Sequence, residues 1–172
     1  MINFLQNIFY TSEAQKRDWA LLSSFVADLS PAEFIEAFGT IDHKIFSAMK
    51  RLGNGMDRER RERIMAQSLE LFEELIALVG DDLKKLNALS QRVRAKDEHA
   101  IQQIESVMIS CLQRRVPDRN DWVFVVREGM SLFHYYGDDR KSDWFEYALM
   151  GGMVLLVTIQ LVKFIVENYS GR

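Results

Sequence analysis

The segment IFSAMKRLGNGMD, residues 45–57, shows the pattern that decides the fold class of the whole chain. Its apolar residues recur at intervals of four, three and four, which places them on one face of an α-helix. These residues are Ile45, Met49, Leu52 and Met56. Gly53 directly follows the third of them, and a small residue there is expected to let another helix approach closely. An apolar face of this kind packs either into the protein's own core or into a partner's groove, and the spacing leaves both open.

Helical spacing continues along almost the whole chain, and no stretch alternates with the period of a β-strand. Start signals such as Ser30-Pro31 and stop signals such as Gly80 divide this pattern into eight segments. The predicted helices span about 12–29, 31–38, 42–52, 57–78, 81–95, 97–115 and 120–136, with an eighth after Ser142. With only 9 Gly and 2 Pro, the chain has too few turn residues for a β-sandwich. We therefore predict an all-α fold, a single bundle of about eight helices.

Residues 144–166, WFEYALMGGMVLLVTIQLVKFIV, form the most apolar segment. As a helix this segment is roughly 34 Å long, and the core of a bilayer is about 30 Å thick. Its terminal aromatic residues, its glycine pair and a lysine that reaches the interface also suit a membrane anchor. The predicted anchor residues are Trp144, Tyr147, Gly151, Gly152, Leu156 and Lys163. A buried core helix is the alternative, and a tail that is stowed in a groove and later inserted is compatible with both.

This segment divides the chain into a helical bundle domain, residues 1–141, and a hydrophobic tail, residues 142–172. The first ten residues, MINFLQNIFY, lack the basic region and cleavage site of a signal peptide. Insertion of the tail after synthesis would leave the bundle on the cytosolic face of an intracellular membrane, with part of the protein cytosolic.

The composition offers little for catalysis. A single cysteine, Cys111, excludes an internal disulfide framework, and the three histidines lack metal-ligand spacing. Apolar neighbours predict an inert thiol for Cys111, and Asp81-Asp82 suit a helix start better than a paired-carboxylate site. The mixed charges of residues 58–63, RERRER, predict a solvated helix face, with contact to anionic lipid as the alternative. We expect no enzyme, metal or cofactor, and the net charge of −3 argues against nucleic-acid binding.

Residues 45–57 resemble the third homology motif of the Bcl-two apoptosis regulators, most closely that of the Bax/Bak multi-domain type. Upstream, residues 20–28 are similar to the first helix of that type. Downstream, Trp122-Val123 and residues 132–137 resemble the second homology motif and the turn that follows it. The apolar tail corresponds to the family's membrane anchor, so the resemblance runs across nearly the whole chain.

The resemblance implies two sets of binding residues. The partner-binding set is Ile45, Met49, Leu52, Gly53, Asn54, Met56 and Asp57, and the groove-lining set is Phe72, Glu74, Leu75, Leu78 and Trp122. In the family, the first homology motif leads into a very apolar central helix, and residues 72–78 match that motif. Asn54 and Glu74 stand where the family has an Asp and Arg that pair. We expect Asn54 to hydrogen-bond to the carboxylate instead.

The resemblance predicts a regulator of apoptosis at the outer mitochondrial or endoplasmic reticulum membrane, with a slight preference for a pro-apoptotic role. Its partners would be proteins, including family members in homo- or heterodimers. Two alternatives stay open. One is a haem-free, globin-like sensor, because residues 83–93 and 99–112 loosely resemble helices around a haem pocket, with Val93 where the iron-binding His would fall. The other is a tail-anchored structural subunit of a membrane complex.

Overall fold

The computed structural model describes residues 12–138, and within them the fold is all-α, with seven helices and no strand. Residues 12–137 belong to one compact unit. The helices are α1 (Ser12–Val26), α2 (Pro31–Phe38), α3 (His43–Gly55), α4 (Arg58–Ala77), α5 (Leu83–Arg94), α6 (Glu98–Arg115) and α7 (Trp122–Tyr136). A 3₁₀ turn, Arg119–Asp121, leads into α7. The predicted eighth helix and the predicted domain boundary at 141/142 lie outside the described residues.

Short acidic or hydroxyl side chains fix where most of these helices begin. At α2, the Ser30 hydroxyl accepts the Glu33 N–H while the Glu33 carboxylate accepts the Ser30 N–H, a complete capping box. Asp57 and Asp97 accept backbone N–H groups in the first turns of α4 and α6. Asp82 does the same for α5, which confirms that this aspartate pair marks a helix start.

Two predicted helix ends were wrong. The first helix ends at Val26 rather than near residue 29. The Arg119 guanidinium donates to the carbonyls of Val26, Ala27 and Leu29 and so pairs the backbone where the helix ends. The third helix passes through Gly53 and ends at Gly55. It stops there because Met56 is extended and Asp57 already caps the next helix.

Helix α7 lies at the centre of the described bundle, with seven of its fifteen residues buried. Five buried residues in a row, residues 122–126, show that the first part of the helix is covered on all sides rather than on one face. It runs parallel to α4, because the Arg60 guanidinium contacts Asp121 at one end while the Phe72 and Tyr136 rings stack 5.0 Å apart at the other. The helix that follows residues 72–78, α5, buries only three of its twelve residues.

Close packing of α4 on α7 depends on Gly129. A Cβ atom at this position would lie 2.6 Å from Leu71 Cδ2, well inside the distance of an ordinary carbon–carbon contact. Leu71 is itself fully buried, so a glycine is required for the two helices to approach this closely.

Candidate partner-binding helix

Helix α3 carries the predicted partner-binding residues and has sharply defined ends. Asp42 accepts the N–H groups of Lys44 and Ile45 at 2.7 and 2.9 Å, and these hydrogen bonds, the one from Ile45 foremost, hold the pKa of Asp42 below its usual value. At the other end, Asp57 accepts the N–H of Arg60 at 2.8 Å. The backbone is extended at both Asp42 and Met56, so α3 is a separate helical unit between two non-helical joints.

The predicted apolar face of α3 lies on one side of the helix, as its spacing indicated. Met49 and Leu52 are almost completely buried, Met56 is 8% exposed, and Ile45 is half-buried against the same core. Ala48 is buried beside them. In the described structure this face is therefore packed into the protein's own core.

One strong ion pair fastens α3 to α1. The Arg51 guanidinium donates to both carboxylate oxygens of Asp18, from Nε at 2.7 Å and from Nη2 at 2.8 Å. Asp18 is buried while the Arg51 side chain is half exposed. Two parallel charge-assisted hydrogen bonds fix the orientation of the pair as well as its distance. Because α3 packs mainly against α1, this pair lies in its principal contact.

Gly53 does not provide the close helix approach that its size suggested. A Cβ atom there would lie 3.5 Å from Arg127 Nη2 and 3.8 Å from Phe124 Cε1, which are ordinary contact distances. Instead, Gly53 and Met56 border an open cavity of about 180 Å³ that Arg61, Arg127 and Phe124 also line. The side chains nearest to Gly53 are thus the Arg127 guanidinium and the Phe124 ring rather than another helix backbone.

The two polar members of the partner-binding set face solvent. Asn54 and Asp57 are exposed, and the Asp57 carboxylate serves as the cap of α4. The expected hydrogen bond from Asn54 to Glu74 is absent from the described residues, because the Glu74 carboxylate is bound by Arg114, 2.8 Å from its Nη2. Arg115 lies at 4.0 Å from the same carboxylate. Glu74 thus joins α4 to α6 and does not face α3.

The structure does not bring the predicted groove-lining residues together. Leu75 is fully buried, whereas Leu78 is 42% exposed at the end of α4. Phe72 stacks on Tyr136 near that end. Because α4 and α7 are parallel, Trp122 lies at the opposite end, where its indole Nε1 donates to the Val116 carbonyl at 2.9 Å. These residues therefore stabilise the bundle at separate places rather than forming one groove.

Asp121, Arg60 and Arg63 form a charge cluster, partly buried, that no sequence pattern predicted. Asp121 is fully buried, and its carboxylate accepts from Arg60 Nε at 2.7 Å and from Arg63 Nη2 at 3.2 Å. The Arg60 guanidinium also lies 4.0 Å from the centre of the Trp19 ring, a cation–π contact. The prediction of a solvated face for residues 58–63 was therefore wrong for Arg60. The alternating charges gave no signal of a partner 61 positions away.

Cys111 of α6 lies within the hydrophobic core of the described bundle. It is free and fully buried, and burial raises the pKa of its thiol to about 11, with Glu74 and Glu70 adding to the shift. A thiol with this pKa is almost entirely protonated at neutral pH. Over residues 12–138, no group of three or more His, Cys, Asp or Glu side chains is placed to hold a metal ion.

The predicted membrane-anchor residues, Trp144 to Lys163, lie outside the described residues. Among the helices between Ser12 and Tyr136, none combines the length and the apolar character needed to cross a bilayer.

Comparison with protein-family models, with curated proteins and with solved structures finds no match to this chain.

Proposed function

We propose that this chain is a non-enzymatic regulator that binds other proteins by offering α3 to an apolar groove of the partner, as a diverged Bcl-two-like protein. The observation that supports the proposal best is the state of α3: a separate helix with its whole apolar face packed inward. It is held mainly against one neighbouring helix and by one bidentate ion pair. With α3 packed into the protein's own core, its apolar face is not available to a partner, and this is the inactive state that such a regulator needs.

The proposal gives this chain the role of helix donor. The residues expected to line a receiving groove, such as Leu75 and Trp122, lie at opposite ends of the bundle. The four anchors of α3, in contrast, share one face and one neighbourhood. Pairing with a family member would therefore place α3 of this chain in the groove of the other protein.

The burial of α3 sets how rarely its face is free. Exposing a side chain such as Met49 or Leu52 costs about 1.5–3 kcal/mol, so releasing these two and Met56 costs at least roughly 5 kcal/mol. A difference of about 5.5 kcal/mol corresponds to a ratio of about 10⁴. An isolated α3 peptide should therefore bind a groove at least about 10³-fold more tightly than the intact chain.

A peptide of residues 41–60 tests the helix directly, with a pro-survival Bcl-two-type protein as the receiving groove. Saturable binding is expected. Leu52→Ala should weaken it by about 2 kcal/mol or more, roughly 30-fold, because Leu52 is a central anchor. Gly53→Glu should also weaken it, while Lys50→Ala, on the exposed side of α3, should leave it unchanged. If neither Leu52→Ala nor Gly53→Glu changes the affinity of the peptide, the apolar face of α3 is not the binding surface.

The intact chain tests whether the ion pair controls release. Asp18→Ala removes the partner of Arg51, so the full chain should bind the same groove several-fold more tightly while the peptide is unaffected. Glu13→Ala, which removes an exposed ion pair on the same helix, is the matched control and should change nothing. Equal affinity of the Asp18→Ala and wild-type chains would contradict a role of the pair in holding α3.

The proposal places the protein on the cytosolic face of the outer mitochondrial or endoplasmic reticulum membrane through residues 144–166. A tagged chain ending at Asp143 should leave the membrane fraction, and an unchanged distribution would refute the anchor.

We assign a pro-apoptotic direction, so expression of the full chain should increase cell death. Increased survival of the cells would instead show a pro-survival role. Membrane retention without any groove binding by the peptide would favour a tail-anchored structural subunit instead.

A further inference from the structure

A second cavity, remote from α3, opens between α2, α5, α6 and α7. It measures about 180 Å³, and all but one of the side chains that reach it are apolar. They include Ile35 and Phe38 of α2, Val93 of α5, Ile104 and Met108 of α6, and Val126 of α7. An apolar space of this size is large enough for a molecule of about six heavy atoms, such as benzene.

The exception is Glu105, which is half-buried and is the only charged residue of the lining. Between Ser12 and Asp138, no Lys, Arg or His side chain forms an ion pair with it. A carboxylate at the border of an apolar space attracts a cation and disfavours an anion, and partial burial strengthens both effects. The cavity therefore joins a hydrocarbon-sized space to one negative charge.

We propose that this cavity binds a primary alkylammonium ion, with a hydrocarbon chain of about six carbons inside and the ammonium group on Glu105. The apolar walls account for the chain, and the unpaired carboxylate selects the charge of the head group. The site is separate from the proposed exchange of α3, because none of its lining residues belongs to α3.

The test is a titration of the full chain with butylamine, pentylamine and hexylamine, followed by the methyl NMR signals of Ile104, Met108 and Val126. Affinity should rise about fourfold per added methylene and level off once the cavity is full. At equal chain length, hexylamine should bind at least tenfold more tightly than hexanol or hexanoate. Equal affinity of the three head groups, or no saturable shift of these methyl signals, would overturn the proposal.

Two variants separate the charge from the space. Glu105→Gln should lower the affinity for hexylamine about tenfold while hexanol binds as before, and Glu98→Gln, at the exposed start of α6, is the matched control. Val93→Phe should fill the cavity and abolish binding of both. Because Val93→Phe risks unfolding the bundle, the Glu105→Gln comparison decides on its own, and an unchanged preference for hexylamine in that variant would refute the role of Glu105.

Discussion

Gly129→Ala tests the close approach of α4 and α7. The new Cβ would lie 2.6 Å from Leu71 Cδ2 and 3.0 Å from its Cγ, whereas carbon atoms in contact prefer about 3.5–4.0 Å. Leu71 is fully buried, so relief of the overlap requires either the Leu71 side chain to shift within the packed core or the two helices to separate. Overpacking of this kind costs about 1–3 kcal/mol, and the severity of the overlap places Gly129→Ala at the upper end. Alanine regains about 1 kcal/mol in helix propensity, which leaves a net loss of about 2 kcal/mol.

Thermal and urea unfolding of the full chain, followed by circular dichroism, measure this loss. For a chain of this size, a loss of about 2 kcal/mol lowers the Tm by roughly 4–8 °C. Gly39→Ala is the matched control, because its Cβ would meet nothing nearer than the Glu36 carbonyl oxygen at 3.5 Å and its backbone is already helical. That control should be neutral or slightly stabilising.

A double mutant tests the physical cause. Leu71→Ala alone should cost about 2–5 kcal/mol, because it leaves a cavity in the core. In the double mutant, the alanine at position 129 occupies part of that cavity. The double mutant should therefore lose less free energy of unfolding than the sum of the two single losses, by about 1 kcal/mol or more. Strict additivity, or a Gly129→Ala variant as stable as Gly39→Ala, would refute the steric explanation.

Two other side chains give predictions of stability. Asp121→Asn leaves Arg60 and Arg63 without their buried carboxylate and should cost about 3 kcal/mol in urea unfolding, whereas Glu62→Gln, which breaks an exposed pair, should cost less than about 0.5 kcal/mol. Similar losses for the two variants would contradict the buried cluster. The raised pKa of Cys111 stabilises the fold fully below the thiol's ordinary value near 9 and loses that contribution as the pH rises toward about 11. The difference in free energy of unfolding between the wild type and Cys111→Ala should therefore shrink over this range, and a constant difference would contradict it.

Local chemistry explains what could be predicted from the sequence. Helix starts at Ser30, Asp57 and Asp97 depend on side chains that bond to backbone groups two or three residues away, and the structure has all three. The prediction of the apolar face of α3 was also confirmed, because helical spacing alone determines which side chains lie on the same side of a helix. In each case the deciding atoms are neighbours in the chain.

The failures concern atoms that are far apart in the chain. Glu74 was expected to face Asn54 but is bound by Arg114, because the order in which helices pack decides which face of α4 meets which neighbour. The partnership of Asp121 with Arg60 has the same origin. Gly129 shows it most clearly, since a glycine within a helix pattern does not reveal whether a side chain elsewhere requires its small size.

The hydrogen bonds that close α1 have a consequence for how the protein is made. Arg119 lies 93 residues beyond Val26 and 90 beyond Leu29, whose carbonyls it binds. A ribosome that adds about 5–20 residues per second needs roughly 5–20 seconds to cover this distance. During that interval the carbonyls of Val26, Ala27 and Leu29 lack the donor that Arg119 supplies in the finished fold, although α1 and α3 have both been made. We therefore expect the segment that joins α1 to α2 to reach its final position only after most of the described bundle has been synthesised.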